Sequence, residues 1–406
     1  MIPPIGLSPN IERDDVVRAW WVLLTPWNWY RENAKNEVIA WFQKKYATQH
    51  VFLFASARSS LTVLLEAMHI GADDEVIIQA FTCMVVPNAI RFAGATPVYV
   101  DIDRSANCDP KDVERHITPK TKAIIVQHTF GTPADMKGVM NIAKKHHIAV
   151  IEDCAHALGA TYQGKTVGTI GDAAFFSFGR DKGVSSVFGG SVIVKDALIA
   201  NRLSELERTF PNPSGFWIVQ QLLHPIITGI VLPIYTGIVG KAILVFFQKL
   251  HLLSFPVAAC EKAGKKPSQY VMRYPNALAL LLLTQLSKLD RYTHMRRSTA
   301  SLYTKAFENN AAITLLQANE ESSYLRFCIC VKNQREVMEY AKKNGSILGN
   351  WYHAIIDPAG SNVSVAGYDM GSCKRAERLA RECVNLPTRI AKEDAEAIIQ
   401  IVTKAL

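Results

Sequence analysis

The sequence predicts an α/β protein with a mostly parallel sheet, followed by a smaller C-terminal α+β part. Two patterns predict it. From residue 46 to about 200, short apolar runs alternate with stretches of helical spacing, and the runs are apolar enough to be covered on both faces. From about residue 273 a leucine-rich helix leads into a mixture of one strand and two further helices. At 406 residues, with 49% hydrophobic and 20% charged types, the chain can bury two cores rather than one.

Residues 51–54 read as the first strand, and Leu61, Leu64, Leu65 and Met68 place a helix over 59–69. Residues 75–78 and 97–100 are the next strands, with a helix over 87–92 between them. Asp109-Pro110 opens another helix with proline at its first position. Residues 123–126 and 148–151 continue the sheet, joined by a helix over 136–146. Further on, one helix is expected over 277–295, a strand over 323–332, and helices over 335–343 and 374–383, with Asn344-Gly345 as a turn. Functional groups then gather at the carboxyl ends of the parallel strands.

The formal net charge is +9, yet the basic residues are scattered apart from pairs such as Lys265-Lys266 and Arg296-Arg297. No basic, aromatic stripe forms a nucleic-acid platform, so nucleic acid is not an expected partner. Phosphorylated metabolites or an acidic lipid surface fit the charge better. The eight cysteines include no Cys-x-x-Cys pair, so neither structural zinc nor a disulfide framework is expected. Cys328 and Cys330, two apart, read as small apolar strand residues. Glu12, Asp14 and Asp15 near the start do not suit a secretory signal, and a reducing cytoplasm is expected.

Three segments carry candidate chemistry. Residues 55–60, Ala-Ser-Ala-Arg-Ser-Ser, join a strand to a helix and bring hydroxyls and free amides to a positive dipole end, where a phosphate can be held. The plainer reading is an N-cap. Asp153 ends an apolar run, as a buried carboxylate facing a protonated pyridine nitrogen would; a turn cap is the plainer reading, and His156 is by default a packed imidazole. Ser177 and Lys182 close the third segment, where Gly183 and Gly189-Gly190 let backbone approach a ligand. Ser177 can donate to a phosphate, and Lys182 can hold an aldehyde as an imine and then act as a base; a solvated loop lysine is the alternative. An acid and an amine at two strand ends together suit pyridoxal phosphate.

In order along the chain, Ser59, Glu75-Val76-Ile77, residues 94–103 and 117–125, Glu152-Asp153-Cys154-Ala155-His156-Ala157, residues 164–169 and Phe176-Ser177-Phe178 through Lys182 resemble the DegT/StrS group of pyridoxal phosphate sugar aminotransferases. The likeness spans most of 50–195 and continues more loosely through residues 285–290 and 385–387. It implies a type I aminotransferase fold and a homodimer whose active sites lie at the subunit interface. It also implies Lys182 as the Schiff-base lysine, Asp153 as partner of the pyridine nitrogen, His156 beside the ring and Ser177 on the phosphate. Arg58 and Ser59 fall on a Gly-Thr that also holds phosphate. Related dehydratases carry His at the lysine position, so Lys182 implies transamination. Two residues depart from the group. Cys83 stands where an aromatic covers the ring, and Arg58 stands where glycine is usual, which can add charge to the phosphate site. Asn276, with Arg273 nearby, is the candidate to reach across the dimer.

Residues 209–240 contain no Asp, Glu, Lys or Arg, and the apolar run continues past Lys241 to 247. A spanning helix needs roughly 20 apolar residues, so length permits one. Pro225, Pro233 and several glycines interrupt the run, and a single crossing would divide the halves of the site across a bilayer. A hairpin dipping into one leaflet, or a patch lying on its surface, is expected instead. Lys241, Lys249, Lys262, Lys265 and Lys266 would meet headgroups, and Trp20, Trp21, Trp27, Trp29 and Tyr30 gather interfacial aromatics. Packing of both segments on each other or across a dimer is the alternative.

The expected organisation is an aromatic-rich arm over 1–46, a cofactor domain over 47–270 with an apolar insertion at about 209–256, and a small domain over 271–406. The expected function is transamination of a nucleotide-linked keto sugar with glutamate as donor, in surface-polysaccharide or amino-sugar biosynthesis. It uses pyridoxal 5'-phosphate, needs no metal, and runs in the cytoplasm at the membrane's cytoplasmic face. The alternatives are a dehydratase or lyase using the same coenzyme, and a non-catalytic regulator that keeps the fold.

Overall fold

The computed structural model describes residues 10–235, 238–318 and 320–406; the first nine residues of the expected arm and the Lys241 side chain lie outside the described residues. The main sheet has seven strands: β1 His50–Phe54, β2 Glu75–Gln79, β3 Thr96–Val100, β4 Thr121–Gln127, β5 Ala149–Asp153, β6 Ala173–Ser177 and β7 Gly190–Val194. Their order across the sheet is β1-β7-β6-β5-β4-β2-β3. From β6 to β3 all pairs are parallel, whereas β7 runs antiparallel to both β1 and β6.

Successive side chains on a strand enter opposite cores. Phe52 and Phe54 pack with Leu61, Val76 and Phe175, while Val51 and Leu53 pack with Phe42, Ala174 and Phe176. Ile77 joins a further core with Val100, Ile124 and Val150. Burial on both faces is why these runs are apolar at consecutive positions.

Helices α1 Arg13–Leu23 and α2 Asn33–Tyr46 precede β1, and α3 Ala57–Ala67 follows it. The insertion folds as α4 Gly215–Val231 and α5 Ile238–Lys249, then returns toward the sheet as a limb over 250–262. Ala19, Val22, Val38 and Phe42 share a core with Ile218, Leu222, Ala277 and Leu278, so the N-terminal segment and the insertion are packed into the large unit. The single helix expected over 277–295 is two, α6 Asn276–Leu286 and α7 Leu289–Phe307. At the break, the buried Lys288 ammonium reaches Asp14 at 2.5 Å and Asp15 at 3.0 Å, a pairing that a buried cation requires.

The C-terminal part holds an antiparallel sheet of Thr314–Leu315, Phe327–Cys330 and Cys383–Leu386. Its core of Ile329, Val337, Val384 and Ile398 includes residues from the helices Gln334–Lys343 and Lys392–Ala405. All eight cysteines are free.

Candidate active site

At the carboxyl edge of the sheet lies a cavity of ≈ 370 Å³. The start of α3 brings Ser56 and Arg58 to it, the end of β5 brings Asp153 and His156, and the end of β6 brings Ser177 and Lys182. Parallel strands point their carboxyl ends the same way, so residues far apart in sequence meet at one edge.

Asp153 accepts from the Ala155 amide at 2.9 Å and is buried. Burial pushes its carboxyl up to about 6, against the opposing pulls of that amide and of the Lys182 ammonium. The Lys182 ammonium sits 4.4 Å above the centre of the Trp351 ring. His156 stacks on Trp351 with ring centres 5.1 Å apart. Its Nδ1 accepts from the Phe130 amide at 3.3 Å, and its Nε2 lies 3.4 Å from the Tyr352 hydroxyl. Burial, then the Lys182 and Arg326 charges, push the imidazole well below its usual range, so His156 is neutral.

The phosphate-type loop differs from expectation in detail. Ser56, the N-cap of α3, lines the cavity, whereas Ser59 lies fully buried behind it, its hydroxyl 2.8 Å from Ser56 Oγ and 3.0 Å from the Ser56 carbonyl. Arg58 donates through Nη1 to both Glu261 oxygens at 2.7 and 2.6 Å and through Nη2 to the Pro256 carbonyl, so its guanidinium is spent on the limb of the insertion. Cys83 lines the cavity from a short strand paired with Ile356–Asp357, and burial pushes its thiol up to about 11. The aromatic surface that Cys83 lacks is supplied by Trp351 and Tyr352 of the C-terminal part. Asn276 engages its own chain, accepting from the Ala34 amide at 2.9 Å and donating to the Asn28 carbonyl at 2.8 Å. Arg273 donates to the Glu207 and Arg208 carbonyls, and neither residue lines the cavity.

Sequence reasoning missed the groups that hold the lysine loop. Asn10 Nδ2 donates to the carbonyls of Lys182 at 2.5 Å and Gly183 at 3.0 Å. Arg296 Nη2 donates to Asn10 Oδ1 at 2.9 Å and to the Gly183 carbonyl at 3.0 Å. Arg180 gives both Nη atoms to Ser254, tying the same loop to the insertion limb. One signal was available: Leu289, Tyr292, Arg296, Thr299 and Tyr303 form the buried stripe of α7, and an arginine in such a stripe needs a buried acceptor. Among the described residues one buried trio, His128, Glu152 and Cys154, gathers potential metal ligands. Glu152 is already filled by the amides of Gly168, Ile170 and Gly171 and by His128, so the trio reads as a structural knot.

Residues 21–212 and 247–403 match the DegT/DnrJ/EryC1/StrS aminotransferase family, and the chain belongs to that family. A pleiotropic regulatory protein of Geobacillus stearothermophilus is 29% identical over 395 residues, which cover 94% of this chain and 90% of that protein. A GDP-perosamine synthase of Escherichia coli O157:H7 is 30% identical over 295 residues, covering 71% and 67%. The solved structure of S. venezuelae DesV superposes with a TM-score of 0.75 at 23% identity, covering 97% of this chain and 95% of that one, a likeness of fold. The coenzyme of the family is pyridoxal 5'-phosphate. The cavity fits it: a buried carboxylate short of a cationic partner, an amine, and hydroxyls beside a helix N-terminus answer its ring nitrogen, aldehyde and phosphate.

Proposed function

We propose that this aminotransferase transfers the amino group of an amino acid, glutamate in the first instance, to a keto sugar carried on a nucleotide. It would serve amino-sugar or surface-polysaccharide biosynthesis as a cytoplasmic homodimer working at the inner face of the membrane. The observation that carries the reading is the meeting of Lys182, Asp153, Ser177 and Ser56 in one cavity. When bound, pyridoxal phosphate supplies a carbonyl that takes up the amino group and a ring that accepts electrons. Asp153 would hold a proton at the ring nitrogen, and its burial would strengthen that ion pair. Ser56, Ser177 and the free amides at the start of α3 bind the phosphate. Lys182 Nζ would take the proton from the donor's α-carbon and deliver it to the coenzyme carbon that receives the nitrogen, and would reverse that path with the keto sugar. Neutral His156 and Trp351 wall the site beside that amine and exclude water.

The test is to give the yellow enzyme glutamate alone, then a panel of keto-sugar nucleotides, and to identify products by mass. Conversion to the pyridoxamine form, followed by an aminated sugar, is the expected result. A dehydrated sugar would assign the lyase alternative. No response to any amino donor would favour a regulator, a name that one relative carries.

A further inference from the structure

Residues 213–246 lie between the two stretches that match the family, and most of α1 lies before the first of them. These two additions pack on each other. Val16 of α1 fills the space beside Gly229 of α4, where an added Cβ would stand 2.6 Å from its methyl. Helix α5 closes on α4 through Ile243, Leu244 and Phe247 around Ile227, Val231 and Leu253. Half of the apolar stretch within Gly215–Ile234 is buried in protein, so this helix cannot be surrounded by lipid as a spanning helix is.

The outward side of the same unit is apolar. Trp20, Leu24 and Trp27 of the N-terminal segment and Ile230, Val245 and Phe246 of the insertion are 45–68% exposed. No acidic residue occurs from 209 to 260. Arg13 and Arg18 of α1 and Lys249 of α5 are exposed cations, and Arg18 lies over the Trp21 ring at 5.5 Å. Exposed tryptophans beside cations, on an apolar face whose 209–260 part carries no acid and whose Asp14 on α1 is paired with Lys288, match the headgroup level of a bilayer.

We infer that α1, α4 and α5 form a docking surface for an anionic phospholipid leaflet, lying flat at the boundary between headgroups and acyl chains. This names the partner at the membrane face already proposed and rests on that reading of location, whatever sugar is aminated. A face shared with a second copy is disfavoured because α4, most of α5 and residues 13–20 of α1 lie outside the stretches that match the family, although Leu24 and Trp27 lie inside them, and an assembly common to the family would be built from the residues the family shares. The limb that leaves α5 places Phe255, 55% exposed, in the cavity wall, so the docked face adjoins the mouth of the site.

Flotation of the full-length holoenzyme with vesicles tests this, using phosphatidylcholine alone or mixed with phosphatidylglycerol. Binding to the anionic vesicles about tenfold stronger than to the neutral ones, and weakened by salt, is expected. The combined variant Trp20→Ser, Trp27→Ser, Phe246→Ser should lose about tenfold in vesicle binding, on the scale of lost apolar insertion, while its glutamate half-reaction stays unchanged. Equal binding to both vesicle types, or none to either, overturns the inference. So does a variant whose mass by light scattering drops from dimer to monomer, since the face would then join two copies. A failed half-reaction with flotation intact would instead remove the transaminase reading and leave the docking surface standing.

Discussion

Asn10 and Lys182 stand 172 positions apart, yet the Asn10 amide donates to the Lys182 carbonyl at 2.5 Å. The same amide accepts from Arg296, whose guanidinium is so buried that its affinity for the proton falls to about 9. Asn10→Ala would strip a partner from both groups, a loss of about 2 kcal/mol for buried polar atoms left unmet. Urea unfolding should show that loss, and kcat should fall more than KM rises because the lysine loop is no longer held. Unchanged unfolding and rate would mean that the N-terminal segment holds nothing.

Lys182→Ala should leave the protein folded and the coenzyme bound only weakly. The visible absorption of the coenzyme-loaded enzyme should vanish, and borohydride should no longer fix coenzyme to the chain. Retention of either signal would point to another lysine as the tether.

Asp153 yields a pH signature. Its carboxyl rises from 3.8 in the open chain to about 6 when folded. Between those values the folded state binds more protons, so coenzyme-free stability falls as pH rises through the window and the loss is complete above it. At 1.36 kcal/mol per unit the loss is about 2 to 3 kcal/mol. Coenzyme-free Asp153→Asn should therefore melt higher than the parent at about pH 7.5 and level with it near pH 4. Added coenzyme should reverse the order, since only a carboxylate pairs with the protonated ring. An order that coenzyme does not alter would remove Asp153 from the site.

Glu261 and Arg58 join the insertion limb to the first turn of α3 with side chains 6% and 17% exposed. Glu261→Ala leaves the guanidinium without its acid, and breaking such a pair costs about 3 kcal/mol. Denaturant unfolding should report the loss, and proteases should begin to cut within 250–262. Adding Arg58→Gly to that variant should cost little more, because the pair acts as one unit. Full additivity would show that the two side chains work separately.

Most of the sheet was legible because its strands are buried on both faces and so read as continuous apolar runs; β7 was not, since its first residue, Gly190, belongs to a glycine pair read as loop. That Asp153, Ser177 and Lys182 come to one cavity was legible for a related reason, as each follows such a run and parallel strands bring their ends to one edge. Ser59 shows where that legibility ends. Its position in the loop suited a ligand, but the first turn of α3 rotates it inward and presents Ser56. The break after Leu286 was equally hidden in a leucine-rich run, because it answers to Asp14 and Asp15 far upstream.

The sequence by itself determined the parallel α/β architecture, the family, and which acid and amine stand at the strand ends, all consequences of local periodicity and short motifs. The tertiary structure alone decided what surrounds them: Trp351 under the Lys182 ammonium, Asn10 and Arg296 behind its loop, and Arg58 bound to Glu261. Those contacts join segments with no shared spacing, and a buried polar group takes whichever partner the folded chain brings within reach.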